Sequence, residues 1–224
     1  MEIDLSNLDR DQKKKYRTEI RILKKNRIFR KEYRKLKQDR QIKIEVFASS
    51  GKDSGFMGLL SGDGVLKSNP AGRMDINFST EMKEYSSEDL ELLEAIGAKP
   101  DNATLNDDVL EEVIHAMQYF ELIKSNNGSI DISDIEIQGW MNREFEAKSI
   151  RGIIKNELGL PQATREDNQV AEASGVKYAN QGNTNGYFDD LNKWSRIPSN
   201  PYSGSKNKIS PKLLQRIIAP KKSK

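Results

Sequence analysis

The residues best suited to chemistry in this chain are lysines and arginines near its N-terminus. Between Arg10 and Lys43 the sequence holds sixteen Lys and Arg against four acids, a segment charge of +12. Cations at this density neutralise phosphates and release counterions, which makes binding strong, salt-dependent and insensitive to base sequence. The candidate phosphate-binding residues of this segment are Lys13, Lys14, Lys15, Arg17, Arg21, Lys24, Lys25, Arg27, Arg30, Lys31 and Arg34.

Three aromatic residues of the same segment, Tyr16, Phe29 and Tyr33, would add base stacking if the nucleic acid were single-stranded. Two other interpretations compete with nucleic-acid binding. The segment can dock on the acidic stretch from Met74 to Glu136, which has sixteen acids against three lysines, in the same or a neighbouring subunit. It can also be a basic helix that is simply solvated.

A second basic face is predicted in a helix over residues 146–158. Lys148, Arg151 and Lys155 are three and four residues apart, the spacing of side chains on one helix face. The elements predicted over 107–158 follow the order of a helix-turn-helix or winged-helix unit, whose last helix contacts DNA. These three side chains are therefore candidates for groove contacts, and a solvated amphipathic helix is the alternative.

The segment Ile44–Ser54 (IEVFASSGKDS) invites two phosphate-site interpretations. The P-loop pattern fails, because Val46 stands where its first glycine belongs and Asp53 where a Ser or Thr should bind Mg²⁺. The run from Ser49 to Ser54 resembles the SGGxDS motif of the PP-loop ATP pyrophosphatase and sulfonucleotide reductase families, with Ser50 in place of a glycine. The resemblance implies a nucleotide enzyme, and a flexible surface loop is the alternative.

No other catalytic or metal-binding pattern stands out. The chain has no cysteine and one histidine, His115, so a zinc site or a Ser–His or Cys–His pair lacks its further members. We therefore expect no metal, no cofactor and no enzymatic activity, and a structural role for His115.

The elements that must position these residues indicate an α+β fold that is mainly α. It has a long basic N-terminal helix, a small helical core with short strands, for which a winged-helix or helix-turn-helix arrangement is one alternative, and an extended C-terminal arm. Helices are predicted over 10–38, 88–96, 107–124, 146–158 and from Ser210 onward, strands over 42–47 and 74–78, and strand, helix or both over 130–138. In the first helix Ile22, Phe29 and Leu36 are seven residues apart and, with Tyr33, form one narrow apolar seam.

Composition divides the chain into five segments. They are a basic N-terminal helix (1–43), a strand with a Gly/Ser-rich loop (44–73), an acidic-to-mixed helical core (74–160), a polar linker or arm (161–208), and a short docking helix with a basic tail (209–224). The stretch from Leu191 to Lys224 has nine Lys and Arg and no acid. Its apolar patch is too small to fold alone and is predicted to dock in a groove of a protein partner through Leu213, Leu214, Ile217 and Ile218.

These features favour a non-enzymatic nucleic-acid-associated protein of a phage or mobile element, located in the cytoplasm or in a viral particle. The alternative is a structural assembly subunit of a virion or another large complex, a homo-oligomer or larger assembly whose termini interlock with neighbouring subunits. A PP-loop-like nucleotide enzyme is the third interpretation. No apolar run approaches the roughly 20 residues of a membrane span, so no membrane partner is expected.

Overall fold

In a computed structural model, the chain divides into two units. The first comprises Met1–Glu84 with Ala103–Ile137, and the second comprises Tyr85–Asn102 with Gln138–Lys224. The structure describes residues 3–38, 43–49, 56–60, 65–67, 73–79, 105–125, 129–198, 200 and 209–219. The predicted helix 88–96 lies outside these residues.

The basic N-terminal segment forms two helices, α1 (Arg10–Leu23) and α2 (Arg27–Gln38), where the sequence predicted a single one. Asp9 begins α1 with a capping box, since its Oδ1 accepts from the main-chain N of Gln12 at 2.8 Å and Gln12 Oε1 accepts from the Asp9 N at 2.9 Å. Asn26 begins α2, because its Oδ1 accepts from the main-chain N of Phe29 at 2.9 Å. Asparagine favours this capping role over a place inside a helix, so the chain breaks at Asn26.

The break also changes which residues form the apolar face. The buried residues are Tyr16, Ile20 and Leu23 on α1 and Phe29, Tyr33 and Leu36 on α2. Ile22, which the seven-residue seam placed in the interior, is partly exposed. A seam spaced for one continuous helix does not continue across two helices with different axes.

A four-stranded sheet in the order β1-β2-β5-β3 accompanies these helices in the first unit. Its strands are β1 (Ile3–Asp4), β2 (Lys43–Ser49), β3 (Phe56–Leu60) and β5 (Arg73–Ser79). β2 is parallel to β1 and to β5, and β3 is antiparallel to β5. Parallel neighbours need a crossover connection, and α1 with α2 supplies the one between β1 and β2.

The strands predicted over 42–47 and 74–78 are confirmed as β2 and β5. The segment predicted as a Gly/Ser-rich loop contains β3 and also β4 (Val65–Lys67), which pairs antiparallel with β6 (Ser129–Asp131) in a separate two-stranded sheet. Cross-strand pairing thus overrides the glycine content that indicated a loop.

The central helix of the first unit is α3 (Leu105–Ser125), which confirms the helix predicted over 107–124. It contacts β5, β3 and β6 as well as α1 and α2. Its buried apolar residues recur at helical spacing and include Val109, Leu110, Val113, Ile114 and Met117. α3 therefore provides the surface against which α1 and α2 are held.

One continuous helix of 27 residues, α4 (Ile132–Leu158), follows β6. A helix-turn-helix requires a turn before its last helix, and no turn interrupts α4, so the winged-helix interpretation is not confirmed. The predicted helix 146–158 is the C-terminal half of α4. The part of α4 from Gln138 onward belongs to the second unit.

The second unit continues with α5 (Glu166–Gln181), α6 (Tyr187–Trp194) and α7 (Lys212–Ile218). α5 and α6 lie in the segment predicted as a polar linker or arm, so that prediction is wrong for residues 166–194. The helix predicted from Ser210 onward corresponds to α7. Among the described residues, no helix has the length and apolar character needed to cross a membrane.

The aromatic residues of 166–194 pack on one another and on α4. Tyr187 lies against Phe145 of α4 with ring centroids 5.2 Å apart, and Trp194 lies 5.4 Å from the same ring. Tyr178 is 6.0 Å from Tyr187. The indole N–H of Trp194 donates to the main-chain oxygen of Asp167 at 2.8 Å. This cluster explains how a segment with few apolar residues forms a helical core.

α4 and α5 cross at two glycines. A Cβ on Gly152 would stand 2.5 Å from the Cα of Glu172, and a Cβ on Gly175 would stand 2.5 Å from the carbonyl carbon of Ser149. Both distances are too short for any side chain, so the close approach of the two backbones requires glycine at both positions.

Candidate nucleic-acid interface

The outer faces of α1 and α2 carry the cations that the sequence singled out. Nine of them are exposed, and Lys13 and Lys24 are half-buried. Side chains three or four residues apart share a helix face, so the cations form rows along both helices. We call this set the α1–α2 basic surface; it comprises Lys13, Lys14, Lys15, Arg17, Arg21, Lys24, Lys25, Arg27, Arg30, Lys31 and Arg34.

Most of these cations have no partner within the part of the chain that the structure describes. No described side chain makes an ion pair or hydrogen bond with Lys13, Lys14, Arg17, Arg21, Lys25, Arg27, Arg30, Lys31 or Arg34. Their charge is therefore not neutralised by the described residues. A surface of this kind attracts an anionic ligand and its counterions.

Two of the three acids in these helices, Glu19 and Glu32, are turned away from the basic surface. Glu19 and Glu32 are 9% and 4% exposed. Glu32 pairs with Lys35 Nζ at 3.1 Å. Burial raises the pKa of Glu19, because an ionised carboxylate loses hydration there. Among the described residues 9–38, the exposed acids are Asp9 and Asp11 at the start of α1. The outer face therefore keeps a nearly uniform positive charge.

The aromatic residues that could have stacked on bases lie on the opposite, inner side. Tyr16, Phe29 and Tyr33 are all at most 5% exposed. The rings of Phe29 and Tyr33 stack with centroids 5.4 Å apart. Burial raises the pKa of both tyrosines, which keeps their hydroxyls neutral. These residues hold α1 and α2 in place.

Lys24 links the inner and outer sides at the break between the helices. Its Nζ lies 4.8 Å from the centroid of the Tyr33 ring, within range of a cation–π interaction. Burial, and after it the charge of Lys37, lower the pKa of Lys24. Lys24 is therefore less available to a ligand of the α1–α2 basic surface than the exposed cations beside it.

The acidic stretch proposed as a docking site for this segment includes α3, and α1 and α2 do contact α3. The side chains that the two helices bury are mainly apolar, however, and the cations stay outside. The contact with α3, the described helix of that stretch, therefore leaves the α1–α2 basic surface open to another ligand.

The basic face predicted on residues 146–158 is not exposed. Lys148, Arg151 and Lys155 are 3%, 4% and 2% exposed. Lys148 pairs with Glu144 at 3.2 Å, one helical turn away. Arg151 and Lys155 both pair with Glu172 of α5, at 2.8 and 3.2 Å. The structure corrects the expectation of groove contacts, because all three cations are buried in ion pairs, and those of Arg151 and Lys155 hold α4 and α5 together.

Glu172 is the residue of this arrangement that sequence reasoning missed. Its Oε1 accepts from Arg151 Nε, and its Oε2 accepts from the main-chain N of Ala163 at 2.9 Å, which fastens the connection between α4 and α5. Glu172 lies 21 residues from Arg151 in the sequence, so no helical spacing relates them. A lone acid in a polar segment gives no local signal of this role.

The predicted partner-docking residues occupy a place on their own chain. Leu213 and Leu214 of α7 are buried, and Ile217 and Ile218 are half-buried. The main-chain N of Leu214 donates to Glu146 Oε1 of α4 at 2.9 Å. A partner would have to displace α7 from α4 to reach the two leucines. The extended arm expected for an assembly subunit is therefore not seen at α7.

The remaining candidates of the sequence are the PP-loop-like run and His115. Of the PP-loop-like run, only Ser49 at the end of β2 is described, and residues 50–54 lie outside. His115 Nδ1 is hydrogen-bonded to Gln118 Oε1 at 2.9 Å within α3.

Comparison with known proteins supplies no further guide, since no family model, no curated protein and no solved structure matches this chain.

Proposed function

We propose that this protein binds nucleic acid through the phosphate backbone, and that the α1–α2 basic surface is the binding site. One observation carries the proposal: eight exposed cations on the outer faces of two helices make no ion pair or hydrogen bond with a described side chain, while Glu19 and Glu32 of the same helices are buried. The eight are Lys14, Arg17, Arg21, Lys25, Arg27, Arg30, Lys31 and Arg34. The cations of α4 are not part of the proposal, because they are held in buried ion pairs.

Phosphate contacts of this kind bind by releasing condensed counterions, so the affinity depends steeply on salt. If about five cations contact phosphates, the slope of log K against log salt for a duplex is about −4.5. Raising the salt from about 50 to about 200 mM then weakens binding by about 500-fold. The base sequence has little influence, because these contacts do not reach the base edges.

The test is a salt titration of binding, followed by the fluorescence anisotropy of a labelled oligonucleotide. We expect binding at low salt that weakens along this slope. Absence of binding to both duplex and single strands at low salt would refute the proposal.

A pair of variants tests the assignment of the surface. Arg17→Gln with Arg21→Gln removes two exposed cations, and the slope should become less steep by about 1.8. Arginine and glutamine have similar helix propensities, so α1 should stay folded. The matched control is Arg196→Gln with Lys212→Gln, two exposed cations of the second unit, and it should bind like the wild type. An equal loss in the control would place binding elsewhere.

A further inference from the structure

We infer that the ligand of the α1–α2 basic surface is a double helix and not a single strand, an inference that rests on the proposed function. The geometry behind it is the separation of two residue types. Cations stand on the outer faces of α1 and α2, and every aromatic side chain of residues 10–38 is on the buried side.

Proteins that prefer single strands combine cations with aromatic side chains on which bases stack. Each stacked base contributes about 1–3 kcal/mol. The aromatic residues of the two helices are Tyr16, Phe29 and Tyr33. Because all three are buried, a ligand on the surface cannot contact their rings. Exposing them would remove α1 and α2 from their packing, so stacking on them is incompatible with the fold.

A surface that offers cations alone responds to the density of phosphate charge. The duplex carries one charge per about 1.7 Å of its axis, and its counterions are more strongly condensed than those of a single strand. The corresponding salt slopes are about −0.9 and −0.7 per phosphate contacted. For about five contacts the slopes differ by about one unit. Between about 1 M and about 0.1 M salt the affinity for the duplex therefore rises about tenfold more than the affinity for a single strand, so ligands that bind equally at about 1 M differ about tenfold at about 0.1 M.

The length of the cation rows fits this ligand. Lys14 to Arg21 covers seven residues of α1, or about 10 Å along the helix at 1.5 Å per residue. The row from Arg27 to Arg34 on α2 has the same length. Each row is therefore as long as about three base-pair steps of 3.4 Å along the axis of a duplex. Backbone contacts at this interval are independent of the bases between the strands.

An anionic membrane is a different polyanion, and the same faces suit it less well. Helices that lie on membranes insert large apolar side chains between lipid headgroups. Among the residues that the structure describes, Ile209 is the exposed large hydrophobic residue, and it lies in the second unit and not on α1 or α2.

The experiment compares a mixed-sequence DNA duplex with each of its strands, chosen without self-complementarity, at a series of salt concentrations on the full chain. We expect the duplex to bind about tenfold more tightly at about 0.1 M salt, with the steeper slope. The double variant Arg17→Gln with Arg21→Gln should weaken duplex binding, and the control Arg196→Gln with Lys212→Gln should leave it unchanged.

Three outcomes overturn the inference. Equal or tighter binding of a single strand refutes the choice of the duplex and leaves the proposed function standing. Tighter binding to vesicles with anionic lipids than to the duplex at the same salt assigns the surface to membranes. Absence of binding to any oligonucleotide at low salt refutes the proposed function as well.

Discussion

Replacing Glu172 by glutamine tests the buried contact that holds α4 and α5 together. Glu172 is 0% exposed, and its Oε1 lies 2.8 Å from Arg151 Nε and 3.2 Å from Lys155 Nζ. Glu172→Gln keeps the size of the side chain and its acceptor for the Ala163 N–H. It removes the negative charge between two buried cations and turns an NH2 donor toward them in place of a carboxylate oxygen.

The expected loss of stability is large, because burying a cation without its partner costs far more than losing a surface ion pair. Breaking a buried pair typically costs about 3–5 kcal/mol. For a urea dependence of about 2 kcal/mol/M, the midpoint of unfolding falls by roughly 2 M. Replacing all three charges by apolar residues, as Arg151→Leu, Lys155→Met and Glu172→Leu together, should recover most of this loss.

The assay is urea unfolding followed by tryptophan fluorescence, since Trp194 is fully buried in the same unit. The matched control is Glu166→Gln, an exposed acid in the first turn of the same helix, which should change stability by less than about 1 kcal/mol. If Glu172→Gln cost no more than this control, the two cations would not depend on Glu172 and our account of the α4–α5 contact would be wrong.

Three further predictions concern packing and pH. Gly175→Ala should destabilise the second unit by about 1–3 kcal/mol in urea unfolding, because its Cβ would collide with the backbone of α4; an unchanged midpoint would contradict the close crossing. Glu19→Gln should stabilise the first unit at neutral pH by roughly 1 kcal/mol, since burial raises the pKa of Glu19 and its charge is disfavoured in the fold; thermal melts should show the gain vanishing below its ordinary pKa of 4.5. Burial raises the pKa of Asp190, but hydrogen bonds from Lys177 and Tyr178 outweigh it, and the net pKa lies below 3.8. The stability that ionised Asp190 contributes is present above pH 3.8 and is lost as the pH falls through the lowered pKa. In pH-dependent unfolding, the free energy of unfolding of Asp190→Asn should therefore fall less steeply with acid than that of the wild type.

Elements with strong local signals could be predicted from the sequence. α3 has an apolar stripe of helical spacing over its whole length, and β2 alternates between apolar and polar residues. The break at Asn26 also has a signal in the sequence, because asparagine is a preferred N-cap residue. The seven-residue spacing of Ile22, Phe29 and Leu36 favoured an unbroken helix instead.

The helical core of the second unit could not be predicted in the same way. α5 has few large apolar residues, and its order depends on contacts with residues distant in sequence, such as those of Tyr178 with Tyr187 and of Glu172 with Arg151. Patterns within a window of a few residues do not contain these partners. A polar composition therefore indicated a linker where tertiary contacts form two helices.

The sequence by itself determined where positive charge is concentrated and, through helical spacing, that the cations of α1 and α2 lie in rows. Helical spacing likewise predicted that Lys148, Arg151 and Lys155 lie in a row on one helix face. Only the tertiary structure decided that the first set faces outward and that the second is buried against Glu144 and Glu172. The physical reason is that spacing fixes which side chains share a helix face, whereas the element packed against that face decides whether its charge meets solvent or a buried counter-charge.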